Sequence, residues 1–257
     1  MVYKSIKIMG ERNSGTNFVT KSIHLNFAAH IHMNAFRITA AHLKLEKTLQ
    51  LEGPAKVALS ESHMDALHFA QRDINFGWKH AALQIGDVKT FSTGRNVLFI
   101  CVIRHPATWL RSMHRIPFHA TGPVDGDFSV FLRAPWYLRP RDELDVEPLA
   151  NVVALWNLKI ASYLKAQNAL PNVMVLRYED VVLNFESTLA RLPLPRRARD
   201  EFLIPKENAR SFIREKAGYD DYKARVEADP WRDYSEADAA FVSGALDHEL
   251  LTSLGYE

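Results

Sequence analysis

The chain is short of cysteine, of long apolar runs and of excess charge of either sign. One cysteine, Cys101, stands among 257 residues, so no intramolecular disulfide can form and nothing calls for an oxidising compartment. Cys101 lies inside the apolar run Val97–Ile103, which points to a buried thiol. The strongly apolar runs reach about seven residues, against roughly 20 needed to cross a bilayer. Residues 1–7 contain no apolar core of a secretory leader. These absences predict a cytoplasmic protein without a transmembrane segment. Lys and Arg number 32 against 30 Asp and Glu, a formal net charge of +2. That balance speaks against a nucleic-acid partner but leaves room for a local anion site. Internal repeats and low-complexity tracts are missing too, and nothing in the sequence reports the oligomeric state.

Hydrophobic residues make up 47% of the chain and charged residues 24%, the proportions of a globular protein with a sizeable core. The length suits one domain over 1–257 with an insertion at 117–150. Residues 6–9 alternate and run into Gly10, as a short strand does. Phe18, Val19, Ile23 and Phe27 mark one face of a helix over about 18–27. Residues 56–59 read as a second strand, ending in Ser60-Glu61-Ser62-His63. Val97–Ile103 is a continuous β-prone run, as in a parallel strand buried on both faces. Pro106 suits the first turn of a helix that continues through Arg115.

Residues 117–150 hold Pro117, Pro123, Pro135, Pro140 and Pro148, and read as an excursion with one short helix near 128–132. A long helix over 149–170, a strand over 173–178, a helix over 185–192 and a last helix over 236–254 complete the pattern. Strands alternating with helices predict an α/β fold, a P-loop-like three-layer arrangement with a mainly parallel central sheet flanked by helices. Ligands in such a fold belong at the carboxyl ends of the strands, here Met9, Ser60, Ile103 and Tyr178.

Between the first strand and the first helix runs Gly10-Glu11-Arg12-Asn13-Ser14-Gly15-Thr16-Asn17. Gly10 and Gly15 have the spacing of a phosphate-binding loop. Glycines permit the tight turn, backbone N–H groups point inward, and the helix N-terminus adds partial positive charge. A nucleoside triphosphatase loop would continue Gly-Lys-Ser/Thr. Here Thr16 and Asn17 take those places, which counts against ATP or GTP hydrolysis but not against a phosphate-type anion. Arg12 supplies a charge inside the loop instead. An ordinary strand–turn–helix whose glycines serve geometry alone has the same spacing.

A second candidate anion site begins at the end of the buried strand, in Arg104-His105-Pro106-Ala107-Thr108-Trp109-Leu110-Arg111-Ser112. Arg104 at the strand end and Ser112 two turns into the helix can share one phosphate, through a guanidinium fork and a hydroxyl. A surface carboxylate is the alternative partner for Arg104.

Together the two segments resemble a known family. The loop 10–17 resembles the 5′-phosphosulfate loop of the sulfotransferases that use 3′-phosphoadenosine-5′-phosphosulfate (PAPS). Residues 103–112 resemble that family's 3′-phosphate motif, an Arg-x-Pro segment with Ser eight residues after the Arg. Val175-Leu-Arg-Tyr-Glu-Asp-Val181 is similar to its Arg-Tyr-Glu-Asp-Leu strand end, and Trp156, Asn157 and Tyr163 fall where the family has an aromatic-bearing helix. Trp231-Arg-Asp-Tyr-Ser235 and Leu254-Gly-Tyr-Glu257 resemble C-terminal segments of bacterial members. The segments occur in family order. The loop departs from the pattern at Asn13, where a basic residue is usual, and at Asn17, where Thr is commoner.

The resemblance implies transfer of a sulfuryl group from PAPS to an acceptor hydroxyl, for example on a carbohydrate or glycolipid, leaving 3′-phosphoadenosine-5′-phosphate (PAP). It implies no metal. Arg12, Asn13, Ser14, Gly15, Thr16 and Asn17 would surround the 5′-phosphosulfate. Arg104 and Ser112 would hold the 3′-phosphate, Tyr178 would lie near the adenine, and Arg214 and Lys216 would cover the 3′-phosphate. His80, 24 residues before Arg104, is the first choice for the general base, with Lys79 and Arg12 as charge stabilisers. His63 and Glu61 are its rivals. The partners are then a nucleotide donor and an unidentified hydroxyl acceptor. His30 and His32, the nearest approach to a metal pair, have no nearby spaced carboxylate or cysteine. Phe118, Phe128, Phe131, Trp136 and Tyr137 of the excursion either stack on the acceptor or close a satellite core. A P-loop nucleotide or small-molecule kinase and a non-catalytic nucleotide-binding module are the alternative readings.

Overall fold

The computed structural model describes residues 1–33, 40–117, 119–121, 124–146, 148–205 and 218–256. In chain order the elements are β1 (Ser5–Met9), α1 (Thr16–Asn26), β2 (His30–Ile31), α2 (Ala40–Thr48), α3 (Gly53–Ala70), α4 (Arg72–Asn75), α5 (Ile85–Ser92), β3 (Val97–Ile103), α6 (Pro106–Arg115), α7 (Phe128–Arg133), α8 (Val152–Ala169), β4 (Val173–Arg177), α9 (Tyr178–Leu183), α10 (Phe185–Ala190), α11 (Tyr219–Glu227), α12 (Glu236–Ala245) and α13 (His248–Leu254). The strands form one parallel sheet in the order β2-β1-β3-β4, with Met9 beside Cys101 and Ile103 beside Arg177. The carboxyl ends of β1, β3 and β4 therefore lie side by side.

Every residue of β3 is buried, because the strand serves two cores at once. Phe99, Cys101 and Ile103 pack with Trp109, Leu110, Trp156 and Ile160 on one face. Leu98, Ile100 and Val102 pack with Val19, Ile23, Val181 and Val182 on the other. Helices thus cover both faces, and the chain has the α/β, three-layer architecture with a parallel central sheet. Burial pushes the Cys101 thiol far up, which keeps it protonated and unreactive.

Residues 56–59 are not a strand. They lie inside α3, which carries Pro54 in its first turn and of which Glu61 and His68 are the buried residues. A short apolar run such as Val57-Ala58-Leu59 fits a helix as well as a strand, and length arbitrates for the helix. Ser60 is accordingly no strand end; its hydroxyl donates to Glu46 Oε1 at 3.0 Å. The strand the pattern missed is β2, two residues long and paired with Ser5 and Ile6, too short to show alternation. Tyr178 opens α9 rather than closing β4. The last helix is broken after Ala245, where Asp247 accepts from the N–H groups of Glu249 and Leu250 and caps α13.

Within the excursion, Phe131 and Trp136 are buried in the main core, Phe128 packs against it, and Tyr137 is exposed. Phe118 lies outside the described residues. No helix among the described residues is long and apolar enough to cross a membrane.

Candidate active site

The loop between β1 and α1 depends on its two glycines. Gly10 has φ 150°, and a Cβ there would lie 2.5 Å from the Val102 carbonyl oxygen. Gly15 has φ 92°, and a Cβ there would lie 2.2 Å from the Tyr178 ring. Only glycine combines positive φ with such close approach. Gly15 also begins α1 without any side-chain cap. The first-turn N–H groups of α1 have no intrahelical acceptor and carry the partial positive charge of the helix end. Ser14 is buried beside them, and its Oγ has no hydrogen-bond partner among the described residues. A buried hydroxyl left unmatched is costly, so Ser14 Oγ is a group that an acceptor atom entering the loop would satisfy.

The lysine that the loop lacks arrives from elsewhere. Lys79 Nζ donates to Thr16 Oγ1 at 3.2 Å and to Asn17 Oδ1 at 2.9 Å, which sets its ammonium over the first turn of α1. The segment that carries it is fastened to the loop and its surroundings by four bonds. Gly10 N donates to Lys79 O at 2.9 Å. His80 Nδ1 donates to Gly10 O at 2.6 Å. Lys7 Nζ donates to Gly77 O at 2.7 Å, and Lys159 Nζ to His80 O at 2.8 Å. Burial and the neighbouring Lys79 hold the His80 imidazole well below its ordinary value. Because its Nδ1 faces a carbonyl, the hydrogen sits on Nδ1 and Nε2 keeps its lone pair. Burial and Lys79 likewise bring Lys7 down to about 7.

Arg104 and Ser112 meet as their spacing requires, at 3.0 Å from Nη1 to Oγ. Nη1 also reaches the Asn13 carbonyl at 3.3 Å, and Nε donates to Thr108 Oγ1 at 3.1 Å. The guanidinium lies 5.3 Å from the centre of the Tyr178 ring, the same ring that touches Gly15. Trp156 Nε1 donates to the Arg104 carbonyl at 3.1 Å and steadies the strand end. Next to it Glu179 accepts from the His105 N–H at 2.9 Å and from the Tyr256 hydroxyl at 2.7 Å. Each oxygen that Arg104 contacts among the described residues is neutral.

Arg12 behaves differently. Its side chain is buried and pairs with Glu11 at 2.7 Å and with Asp142 at 2.8 Å. Asp142 in turn holds the buried Lys159 at 3.0 Å. Burial opposes the Arg12 charge, but Glu11 and Asp142 outweigh it and drive its pKa further up. Burial would raise the Asp142 carboxyl; Lys159 and Arg12 hold it well down instead. The Arg12 backbone carbonyl accepts from Trp109 Nε1 at 2.6 Å. Arg12 is thus a strut under the loop, its charge spent on two carboxylates, rather than a cation facing a ligand.

Glu61 sits on α3 against Arg141, with its Oε1 3.1 Å from His119 Nδ1 and its Oε2 3.7 Å from Arg139 Nε. Burial would raise its carboxyl, but the hydrogen bonds from His119 and Arg141 bring it down to about 2. A carboxylate so held does not take a proton near neutral pH. His63 is half-buried two residues after Glu61 on α3, about 200° around the helix from it. Arg214 and Lys216 fall outside the described residues. His119 is a residue that sequence reasoning missed. It belongs to no motif and stands 58 positions from its carboxylate, so no local pattern announces it.

The loop, Lys79, His80, Arg104, Ser112 and Tyr178 therefore form one contiguous region at the strand ends. No protein-family model matches the chain, and no curated protein does. Among solved structures, the sulfotransferase domain from the Synechococcus PCC 7002 olefin synthase aligns over 95% of this chain and 94% of its own, with a TM-score of 0.47 and 14% identity. A likeness of that degree assigns no function.

Proposed function

We propose that this protein is a sulfotransferase that binds PAPS across the ends of β1, β3 and β4 and transfers its sulfuryl group to an acceptor hydroxyl. One observation carries the reading. Two places suited to an anion adjoin one tyrosine ring, that of Tyr178: the uncapped start of α1 under Lys79, and the Arg104–Ser112 pair. A donor with one phosphate group at the 5′ position and another at the 3′ position would use both. The motif resemblance at 10–17 and 103–112 points to the same donor.

In this reading the first-turn N–H groups of α1, with Ser14, Thr16 and Asn17, hold the 5′-phosphosulfate. Lys79 stands where charge develops on the bridging oxygen as the sulfur–oxygen bond breaks, and preorganised donors there stabilise the leaving phosphate. Arg104 and Ser112 take the 3′-phosphate, and Tyr178 offers its ring to the adenine. Arg214 and Lys216 keep their proposed place over the 3′-phosphate. His80 can accept a hydrogen bond from the acceptor hydroxyl at Nε2. Beside Lys79 it holds a proton poorly, so it is a weak seat for the acceptor's proton.

The test is a thermal-shift titration with PAP, adenosine 5′-phosphate and Mg-ATP. A ligand that binds the native state raises the melting temperature by mass action. PAP is expected to give the largest shift, well above that of adenosine 5′-phosphate. A shift with Mg-ATP alone would make the chain a kinase candidate and overturn the reading.

A further inference from the structure

A second histidine stands against Trp78, the indole that also carries His80. His119 opens the excursion with its backbone at φ 55°, a left-handed conformation uncommon outside glycine that histidine adopts more readily than most, and its surroundings help to fix it there. Three contacts do so. Its carbonyl accepts from Arg12 Nη1 at 3.2 Å, which ties it to the phosphate-binding loop. Its Nδ1 meets Glu61 Oε1 at 3.1 Å. Its ring stands edge-on to Trp78 at 5.8 Å, and His80 packs on the same indole at 5.1 Å. The His119 side chain is nonetheless 33% exposed, so a ligand can reach it.

Glu61 is locked in its ionised form by Arg141 and the ring itself. A carboxylate only accepts, so the hydrogen of His119 sits on Nδ1 and the lone pair on Nε2 is left for a substrate. In that arrangement the carboxylate sets the tautomer and orientation and supports the imidazolium that forms. His80 has no such support: its Nδ1 faces a neutral carbonyl, and Lys79 opposes a second positive charge.

We infer that His119 is the general base of the transfer and that Glu61 is its positioning residue. The inference rests on the sulfotransferase reading. As the acceptor oxygen bonds to sulfur, its O–H proton passes to His119 Nε2. The bond from sulfur to the 5′-phosphate oxygen breaks, and its electron pair leaves with PAP. The imidazolium beside Glu61 then gives its proton to water.

The experiment measures PAP release from PAPS by the wild type, His119→Gly, Glu61→Gln and His80→Ala. Acceptors are simple phenols, simple sugars and water alone, and PAP binding is followed by calorimetry. Glycine adopts positive φ without strain and leaves space for free imidazole. His119→Gly is expected to lose roughly 100- to 10,000-fold in kcat and to recover part of it with added imidazole. Its PAP affinity is expected to stay within about twofold, the signature of a group used only in the transition state. Glu61→Gln is expected to lower kcat with KM little changed. A His119→Gly kcat close to that of the wild type, or a parallel loss of PAP affinity and kcat, overturns the inference. If the wild type releases no PAP with any acceptor, the sulfotransferase reading itself fails, and histidine ¹⁵N spectra then judge the pair. The Nδ1–H tautomer at His119, lost in Glu61→Gln, supports it; the Nε2–H tautomer in the wild type overturns it.

Discussion

Arg12 lies in the loop between β1 and α1, Arg104 touches it, and the two are opposites. Arg12 is buried between Glu11 and Asp142, and its charge is consumed in holding the loop over α8 and the excursion. Arg104 is half-buried, contacts only neutral oxygens, and has no carboxylate pair among the described residues. A buried ion pair is desolvated already and has little left for a ligand. A guanidinium bonded to hydroxyls and carbonyls keeps its full charge for an incoming anion. An arginine inside a loop motif is therefore not the loop's binding cation by default. What decides is the charge of its partners.

The largest effect should come from breaking the strut. Arg12→Ala leaves the buried carboxylates of Glu11 and Asp142 to share Lys159, and truncating one side of a buried ion pair costs about 3–5 kcal/mol. Urea denaturation should show that loss, while any protein still folded keeps its preference for PAP over adenosine 5′-phosphate. A variant as stable as the wild type that has lost PAP binding would reverse the roles of the two arginines.

Lys79→Met should come next. Losing a charged hydrogen bond costs roughly 1.5–3 kcal/mol, or about ten- to a hundredfold. The deficit should appear in PAPS turnover and 5′-phosphate binding, with the 3′-phosphate preference intact. An unchanged kcat would remove Lys79 from the chemistry. Gly15→Ala should shift the Tyr178 ring, which the new methyl group would overlap, at a cost of about 1–3 kcal/mol. Undiminished Tm and PAP affinity in that variant would show that the ring is not held against the loop.

The most gradual effect, spread over several pH units, concerns Lys7, buried like Arg12 but donating to the neutral Gly77 carbonyl. Its folded pKa, lowered from 10.5 to about 7, lies below the unfolded one. Between those values the unfolded chain binds more protons, so stability rises with pH, by about 1.4 kcal/mol per pH unit at most from this group. Below about pH 7 both states are protonated and the contribution is flat. Lys7→Met should flatten the rise of Tm above neutral pH; the same slope in both proteins would place its origin elsewhere.

The legible parts of this chain are the local ones. The turn at Gly10 and Gly15 and the eight-residue reach from Arg104 to Ser112 each lie within one strand–helix junction, where spacing dictates geometry. Residues 56–59 misled because a three-residue apolar run carries no period, and α3 buries charged and polar side chains rather than an apolar stripe. The partners that set the roles of charged groups were out of reach. Asp142 is 130 positions from Arg12, Thr16 is 63 from Lys79, and Glu61 is 58 from His119. Burial and pairing at such distances depend on the tertiary fold, which composition and spacing do not report.

The most direct test of the account is calorimetric titration of the wild type and Arg104→Ala with PAP and with adenosine 5′-phosphate. The account predicts that the wild type binds PAP more tightly, and that Arg104→Ala loses about ten- to a hundredfold for PAP with little change for adenosine 5′-phosphate. Equal losses for both ligands, or equal binding of both by the wild type, would contradict it, because Arg104 would then not be reading a 3′-phosphate.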